Sequence, residues 1–513
     1  MLNKTKSNIL PMLDTLGDAL GQYFTDSTNE LLEGIMEFVD VITAHVGVES
    51  MDVFMLSEAL KGSMRSQEYD EIENHYIEFC ETIASLPVQY KVVFLPYYDN
   101  TWDSLASVYE AFAADPLFVT EIVIIPINRN TPIGFEHVYN DYLTPQGIPN
   151  THYDNYSFEV DQPDIVFYNQ PYDGVNYPKF QSKNIRPHVG LMVYVPYAIY
   201  RHEYIPPDRM SEYNQREGEL PGHDNADIIV AQGNSFYNQF STTTRNGHKM
   251  VDLGNPKTDS IWNNTMKDEW MRYPEWESVL NGKKVFLLNT HYSSFFNTPV
   301  PLNATASTSS WLTYLLNHIA NDDDLVLIWR PHPQMYMMLE SMVGDGKILF
   351  DDSMSIAESC NRIIIDRTPS VVSAFMYCDA IISEHSSIIS EAICLNKPVF
   401  LVGVDYREYR PDTSDYYKPE YQAILSQATA INPNELLLHS AIPTCGISAP
   451  LIEGESLDEM MYRKPIFDFI NHVKNNIDPK ADSRHEYRRQ LLSNLDGKCG
   501  SAIHTYVKNM LTT

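Results

Sequence analysis

From residue 90 onward the chain alternates short runs of β-branched and aromatic residues with stretches of helical period, and this constrains the fold more than any other feature. The runs are Val92–Leu95, Ile122–Pro126, Ile165–Tyr168, Leu191–Val195, Ile228–Ala231 and Met250–Leu253. Each is nearly continuously apolar, as parallel strands covered on both faces are. Between the first two, Asp103–Ala114 puts Leu105, Val108, Tyr109 and Phe112 on one helical face. Strand, helix and strand make a β-α-β unit, and its repetition predicts a doubly wound sheet.

A polar, aromatic-rich stretch from Gly254 to Gly282 breaks the pattern, which then restarts. Strands are expected at Val285–Asn289, Leu325–Trp329, Lys347–Phe350, Ile363–Asp366, Ala380–Ser383 and Val399–Val402. Helices are expected at Ser309–Ala320, Ser370–Tyr377 and Ser386–Leu395. The predicted organisation is an α/β chain in five parts. A helical unit (1–87) precedes a Rossmann-like lobe (88–256), a linker (257–282), a second Rossmann-like lobe (283–430) and a mixed, helical tail (431–513). Two such lobes predict a ligand cleft between them.

Residues 1–86 carry apolar side chains at helical spacing, including Ile9, Leu13, Leu16, Leu20, Ile35 and Val39. They show no glycine-rich loop or catalytic cluster, so this part reads as a packing or assembly unit and a candidate surface for oligomerisation. The net charge is −32, which repels phosphate backbones and argues against broad nucleic-acid binding. Any phosphate must be held in a focused pocket. The six cysteines form no CxxC pair, and without a signal peptide the expectation is a reducing cytoplasm. The longest apolar stretch, Leu191–Tyr200, is too short to span a bilayer. A peripheral place at the inner face of the cell membrane stays open.

Two segments carry the chemistry. In Ala380–Val402, AIISEHSSIISEAICLNKPVFLV, a strand runs into Ser386 and Ser387 at a helix start. Hydroxyls and free N–H groups at the positive end of a helix suit a phosphate or diphosphate. Glu391, one turn on, could accept hydrogen bonds from ribose hydroxyls; on this segment alone plain N-capping is the better explanation of the serines. In Leu325–Pro333, LVLIWRPHP, a strand ends in Arg330 and His332 between two prolines. That is the edge at which open α/β sheets bind ligands, and both side chains can hold phosphate. Asn289 and Thr290, followed by His291, Ser293 and Ser294, end another strand at the same kind of edge.

GxxxxGK[ST], GxGxxG, HExxH and GxSxG are absent, which argues against P-loop, dinucleotide, zinc-protease and elbow-serine chemistry. Asp322–Asp324 reads as a solvated loop. No metal site and no cofactor are expected.

These segments resemble the CDP-glycerol glycerophosphotransferase family, which builds teichoic-acid-like polymers. The resemblance runs from about residue 90 to 505. It rests on the WDSL helix (Trp102–Leu105), NQPYD (Asn169–Asp173), VYVPY (Val193–Tyr197), GNPK (Gly254–Lys257), WRPHP (Trp329–Pro333), the serine pair 386–387 and NLDGKCG (Asn494–Gly500). It implies a GT-B-type fold with the nucleotide in the C-terminal lobe, and transfer of glycerol phosphate from CDP-glycerol with release of CMP. By position His332 matches a histidine that contacts donor phosphates. Ser386 and Ser387 match the DYSS serines, and Glu391 the acidic residue that contacts donor hydroxyls. Two departures stand out. The family's DY is Glu384–His385 here, and its WHGTPLK histidine has no counterpart in VYVPYAIY. The catalytic base is therefore unassigned, with His188, His202 and His385 as weak candidates.

The expected function is transfer of a polyol phosphate from a CDP-activated donor to a polyol-phosphate, glycan or lipid-linked hydroxyl acceptor, with Arg330 and His332 at the reacting phosphates. A nucleotide-sugar glycosyltransferase or UDP-sugar 2-epimerase-like enzyme is the alternative, since SSIISEAICLNKPV also resembles that group. A non-catalytic assembly protein is the third.

Overall fold

A computed structural model describes residues 2–46, 50–97, 99–131, 134–138, 148–199, 210–267, 270–291, 295, 304–332, 335, 345–368, 370–383, 386, 388–401, 439–440 and 464–512. The chain opens with four helices, α1 (Asn3–Thr25), α2 (Asn29–Val46), α3 (Met51–Ser66) and α4 (Tyr69–Ser85). Their cluster buries Ile9, Leu13, Leu16, Leu20, Val39, Leu60, Phe79 and Ile83, one stripe per helix. The bundle is tied to the α/β part of the chain: Asn3 N donates to Gln89 O at 2.8 Å, and Asn3 Nδ2 to Asp164 Oδ1 at 2.7 Å.

The first lobe holds a seven-stranded parallel sheet. Its strands are β1 (Tyr90–Leu95), β2 (Phe118–Ile124), β5 (Thr151–His152), β6 (Ile165–Tyr168), β7 (Leu191–Tyr194), β8 (Ile228–Ala231) and β9 (Met250–Asp252). They run in the order β5-β2-β1-β6-β7-β8-β9. A hairpin, β3 (Ile127–Thr131) and β4 (Gly134–Val138), lies outside it. The second lobe holds a separate parallel sheet of β10 (Lys284–Thr290), β11 (Leu325–Pro331), β12 (Ile363–Ile365), β13 (Ala380–Ser383), β14 (Val399–Leu401) and β15 (His439–Ser440). Its order is β12-β11-β10-β13-β14-β15. Each sheet is covered on both faces, which is why its strands read as continuous apolar runs.

Three elements differ from the sequence expectation. Lys347–Phe350 is not a strand but the start of a helix, Asp345–Ser359. Leu349, Phe350, Ser353 and Ala357 are buried along one side, and a four-residue apolar run cannot by itself separate the two periods. The stretch read as a linker, 257–282, contains the helices Lys257–Lys267 and Pro274–Leu280. The tail does not form a unit of its own. Helix Lys464–Lys474 puts Ile466, Phe469 and Ile470 into the second lobe's core, and Tyr487 and Leu491 of helix Ala481–Leu491 join it. The chain then crosses back, with Ser493 N donating to Gln232 O at 3.0 Å. Its last helix, Cys499–Thr512, buries Ile503 and Val507 against the first sheet. Gly500 lies where a Cβ would stand 2.4 Å from the Ser107 carbonyl, so the helix can seat only without a side chain there.

Candidate functional site

In the second lobe β10 pairs with β11 on one side and β13 on the other, with Asn289 level with both Arg330 and Ser383. The segments carrying Arg330–His332 and Ser386 therefore leave the same sheet edge with one strand between them. Two strand spacings put them about 10 Å apart, a width that suits a diphosphate.

Arg330 is 8% exposed. Its Nη1 donates to Asp366 Oδ2 at 2.8 Å and to Thr368 Oγ1 at 3.2 Å, so the guanidinium is anchored by a buried carboxylate. The Thr368 N–H and hydroxyl both donate to Asp366 Oδ1, at 2.8 and 2.6 Å. The His332 backbone N–H donates to Thr290 O at 2.9 Å, and its ring lies edge-on to that of His291 at 5.0 Å. Burial first, and the Arg330 cation second, push the His332 imidazole down to about 4. At neutral pH it is uncharged, contrary to the expectation of a basic group, and it can donate one N–H to a phosphate oxygen.

The sequence suggests Asn289 and Thr290 as phosphate ligands, but the structure uses both for bracing. Asn289 Nδ2 donates to Arg330 O at 3.0 Å, and Thr290 Oγ1 accepts Trp329 Nε1 at 3.1 Å. Thr290 is fully buried. A sequence shows that a residue ends a strand, not which way its side chain turns. The Ser386 hydroxyl accepts from Ile388 N at 3.4 Å, at the start of the seven-residue helix Ile388–Cys394. Ser387, Glu384, His385, His202, Arg201, Ser293 and Ser294 lie outside the described residues. His188 precedes β7, so it sits at the N-terminal edge of the first sheet. The four residues of β7 separate it by about 13 Å from the edge that meets the cleft, and it is no candidate for the base.

The sequence reading missed a chain of contacts between the lobes. Asn255 is buried, and its Nδ2 donates to the carbonyls of Ala198 at 2.9 Å and Pro196 at 3.4 Å, in the loop leaving β7. Asn255 Oδ1 accepts Lys257 N at 3.0 Å. Lys257 Nζ then meets Glu391 Oε1 at 2.7 Å across the cleft. Burial alone would lower the Lys257 pKa, but Glu391, with help from Asp103, leaves it raised. On the first-lobe side Tyr197 shares a hydrogen bond with Tyr172 and lies close to Tyr97 and Glu217. Burial chiefly, with those neighbours, raises its phenol. Among the described residues no group of three His, Cys, Asp or Glu side chains could hold a metal ion, and no helix is long and apolar enough to cross a membrane.

Residues 206–440 match the model of the CDP-Glycerol:Poly(glycerophosphate) glycerophosphotransferase family. That stretch, just under half of the chain, is similar to the family. The glycerophosphotransferase match spans β8, β9, the GNPK turn and the strands that carry Arg330, His332 and Ser386. No curated protein sequence matches the chain. Among solved structures, a protein from Listeria monocytogenes described as a UDP-N-acetylglucosamine 2-epimerase aligns with a TM-score of 0.50 at 12% identity. That alignment covers 83% of this chain and 97% of the other. An S. aureus MnaA–UDP structure aligns at 0.49 and 14%, over 83% and 97%. The wall teichoic acid polymerase TagF aligns at 0.45 and 14%, over 90% and 100%. At such identity the epimerase likeness is one of fold: two Rossmann-like lobes of GT-B type facing across a cleft.

Proposed function

We propose that the chain is a transferase that moves glycerol phosphate, or a related polyol phosphate, from a CDP-activated donor to a hydroxyl acceptor in teichoic-acid-type polymer synthesis. The single observation that carries this is the family match over 206–440, because it spans the sheet edge from which His332 and Ser386 leave. The acceptor oxygen attacks the phosphorus distal to cytidine. The phosphoanhydride bond breaks, CMP leaves with its electron pair, and the acceptor's proton passes to a base on the first-lobe side. His332 donates its N–H to a diphosphate oxygen, Arg330 sets the local positive potential, and Ser386 faces the same phosphates. Glu391 accepts a ribose hydroxyl. Fixed dipoles and the Arg330 cation then stabilise charge developing on the bridging oxygen.

The reading places the protein at the inner face of the cell membrane, where a lipid-linked acceptor would be reached. Met51, Phe54 and Met55, exposed on α3, give the helical unit an apolar face for self-association. The test is product analysis with CDP-glycerol and a glycerol-phosphate primer. CMP and an extended primer are expected, and turnover should survive EDTA. Release of a nucleoside diphosphate from a nucleotide sugar, with no CMP from CDP-glycerol, would move the chain to the nucleotide-sugar enzymes. No turnover of either donor would leave a binding protein.

A further inference from the structure

Glu391 lies in the second lobe with its side chain 2% exposed, and Lys257 in the helix that leaves the first lobe with its side chain 12% exposed. Two charges this deep are expensive to desolvate, and a buried pair is weak evidence for stability by itself. This pair is also incompletely satisfied. Oε1 takes the ammonium, whereas Oε2 is buried with no hydrogen-bond partner. A buried carboxylate oxygen without a donor costs several kcal/mol, so its place in the fold calls for a reason, and a ligand hydroxyl would supply the donor. The Lys257 backbone is held in place, because Asn255 accepts its N–H and is itself fixed to the Pro196 and Ala198 carbonyls.

We infer that Lys257 is a positioning residue: it holds Glu391 by one oxygen so that the other stays aimed into the cleft as the acceptor for a ribose hydroxyl. This rests on the proposed nucleotide donor but adds a residue to it and ties recognition to the first lobe. Through Asn255 the Lys257 backbone is tied to the loop after β7. The acceptor-side loop carrying Tyr197 and the ribose acceptor are therefore set by one short chain of contacts.

The experiment measures binding of CMP, UMP and AMP, each against its 2′,3′-dideoxy counterpart, by calorimetry on the full chain. The native protein is expected to prefer the ribonucleotide by about tenfold or more, the worth of one hydrogen bond to a charged group. In Lys257→Met that preference should fall to about threefold or less while dideoxynucleotide affinity is kept, and Lys257→Arg should restore most of it. If Lys257→Met does not fold, Lys257→Gln, which retains one N–H toward Glu391, should show an intermediate preference. A preference unchanged in the folded Met or Gln variant overturns the inference and leaves the donor reading intact. Preference for a nucleotide other than CMP overturns the cytidine reading and leaves the role of Lys257 intact. Failure to bind any nucleotide overturns both.

Discussion

The carboxylate of Asp259 accepts the backbone N–H groups of Cys499 at 3.0 Å and Gly500 at 2.8 Å, so a residue of the helix after β9 caps the last helix of the chain. The same carboxylate takes the Ser107 hydroxyl at 2.8 Å, and Asp259 is fully buried. Three segments meet on one charge at a helix N-terminus, where an anion is favoured.

Asp259→Ala should therefore destabilise the protein by about 1.5–3 kcal/mol, the worth of hydrogen bonds to a charged group. Asp259→Asn, which keeps one acceptor, should cost less. The urea midpoint reads both, and equal midpoints for native protein and Asp259→Ala would show that the cap contributes nothing.

Asp366 is the buried counter-charge of Arg330, 2.8 Å away. Removing it strips the cation of its buried counter-charge, so Asp366→Ala should cost about 3–5 kcal/mol. Replacing both, as Arg330→Met with Asp366→Leu, should restore much of the stability but not donor binding. If the double variant binds CDP-glycerol as the native protein does, Arg330 has no part in the site.

His332 gives a pH signature. Before a donor binds, its imidazole titrates near 4, and a bound diphosphate, which stays fully ionised, must raise that value. Binding then takes up a proton, so affinity for CDP-glycerol should increase as pH falls below the raised, bound value and level off only below the free value near 4. His332→Gln should flatten the profile, and His332→Ala should weaken donor binding or turnover about ten- to a hundredfold. A native profile without slope would remove His332 from the phosphates.

His223 gives a different one. It is buried against Tyr194, with ring centroids 4.7 Å apart, and its Nδ1 accepts Leu220 N at 3.1 Å. Burial lowers it to about 4. A base whose folded value is depressed binds fewer protons than the unfolded chain, so its contribution is whole above about pH 6.5. It is lost as pH falls toward 4, by about 3 kcal/mol in all. His223→Phe should make the urea midpoint less dependent on pH over that window.

Much of the architecture was legible in single segments. VFLL at 285–288 and LVLIW at 325–329 are apolar throughout because both faces of the second sheet are covered. From there the strand ends could be placed, and with them the common edge of His332 and Ser386. What stayed hidden depends on partners distant in sequence. Nothing near Lys257 announces Glu391, and the polar look of KTDSIWNN conceals a helix because its buried polar residues, Thr258 and Asp259, are satisfied by the far end of the chain. Asn289 and Thr290 looked like ligands for the same reason: their partners, Arg330 and Trp329, sit on the neighbouring strand.

The chain passes between the lobes twice, at Leu253–Lys257 and at Ser493–Cys499, and the two passages lie side by side. Ser493 Oγ donates to Asp252 at 2.9 Å, Asn494 Nδ2 to Leu253 O at 2.9 Å, and a Cβ on Gly254 would meet the Ser493 carbonyl at 2.5 Å. A single passage would let one lobe swivel freely about it. Two passages bonded along their length resist torsion, because rotation would shear the bonds between them, and bend together far more easily. Any opening of the cleft about these passages is thereby confined to one direction, with Lys257 beside the hinge line and opposite Glu391.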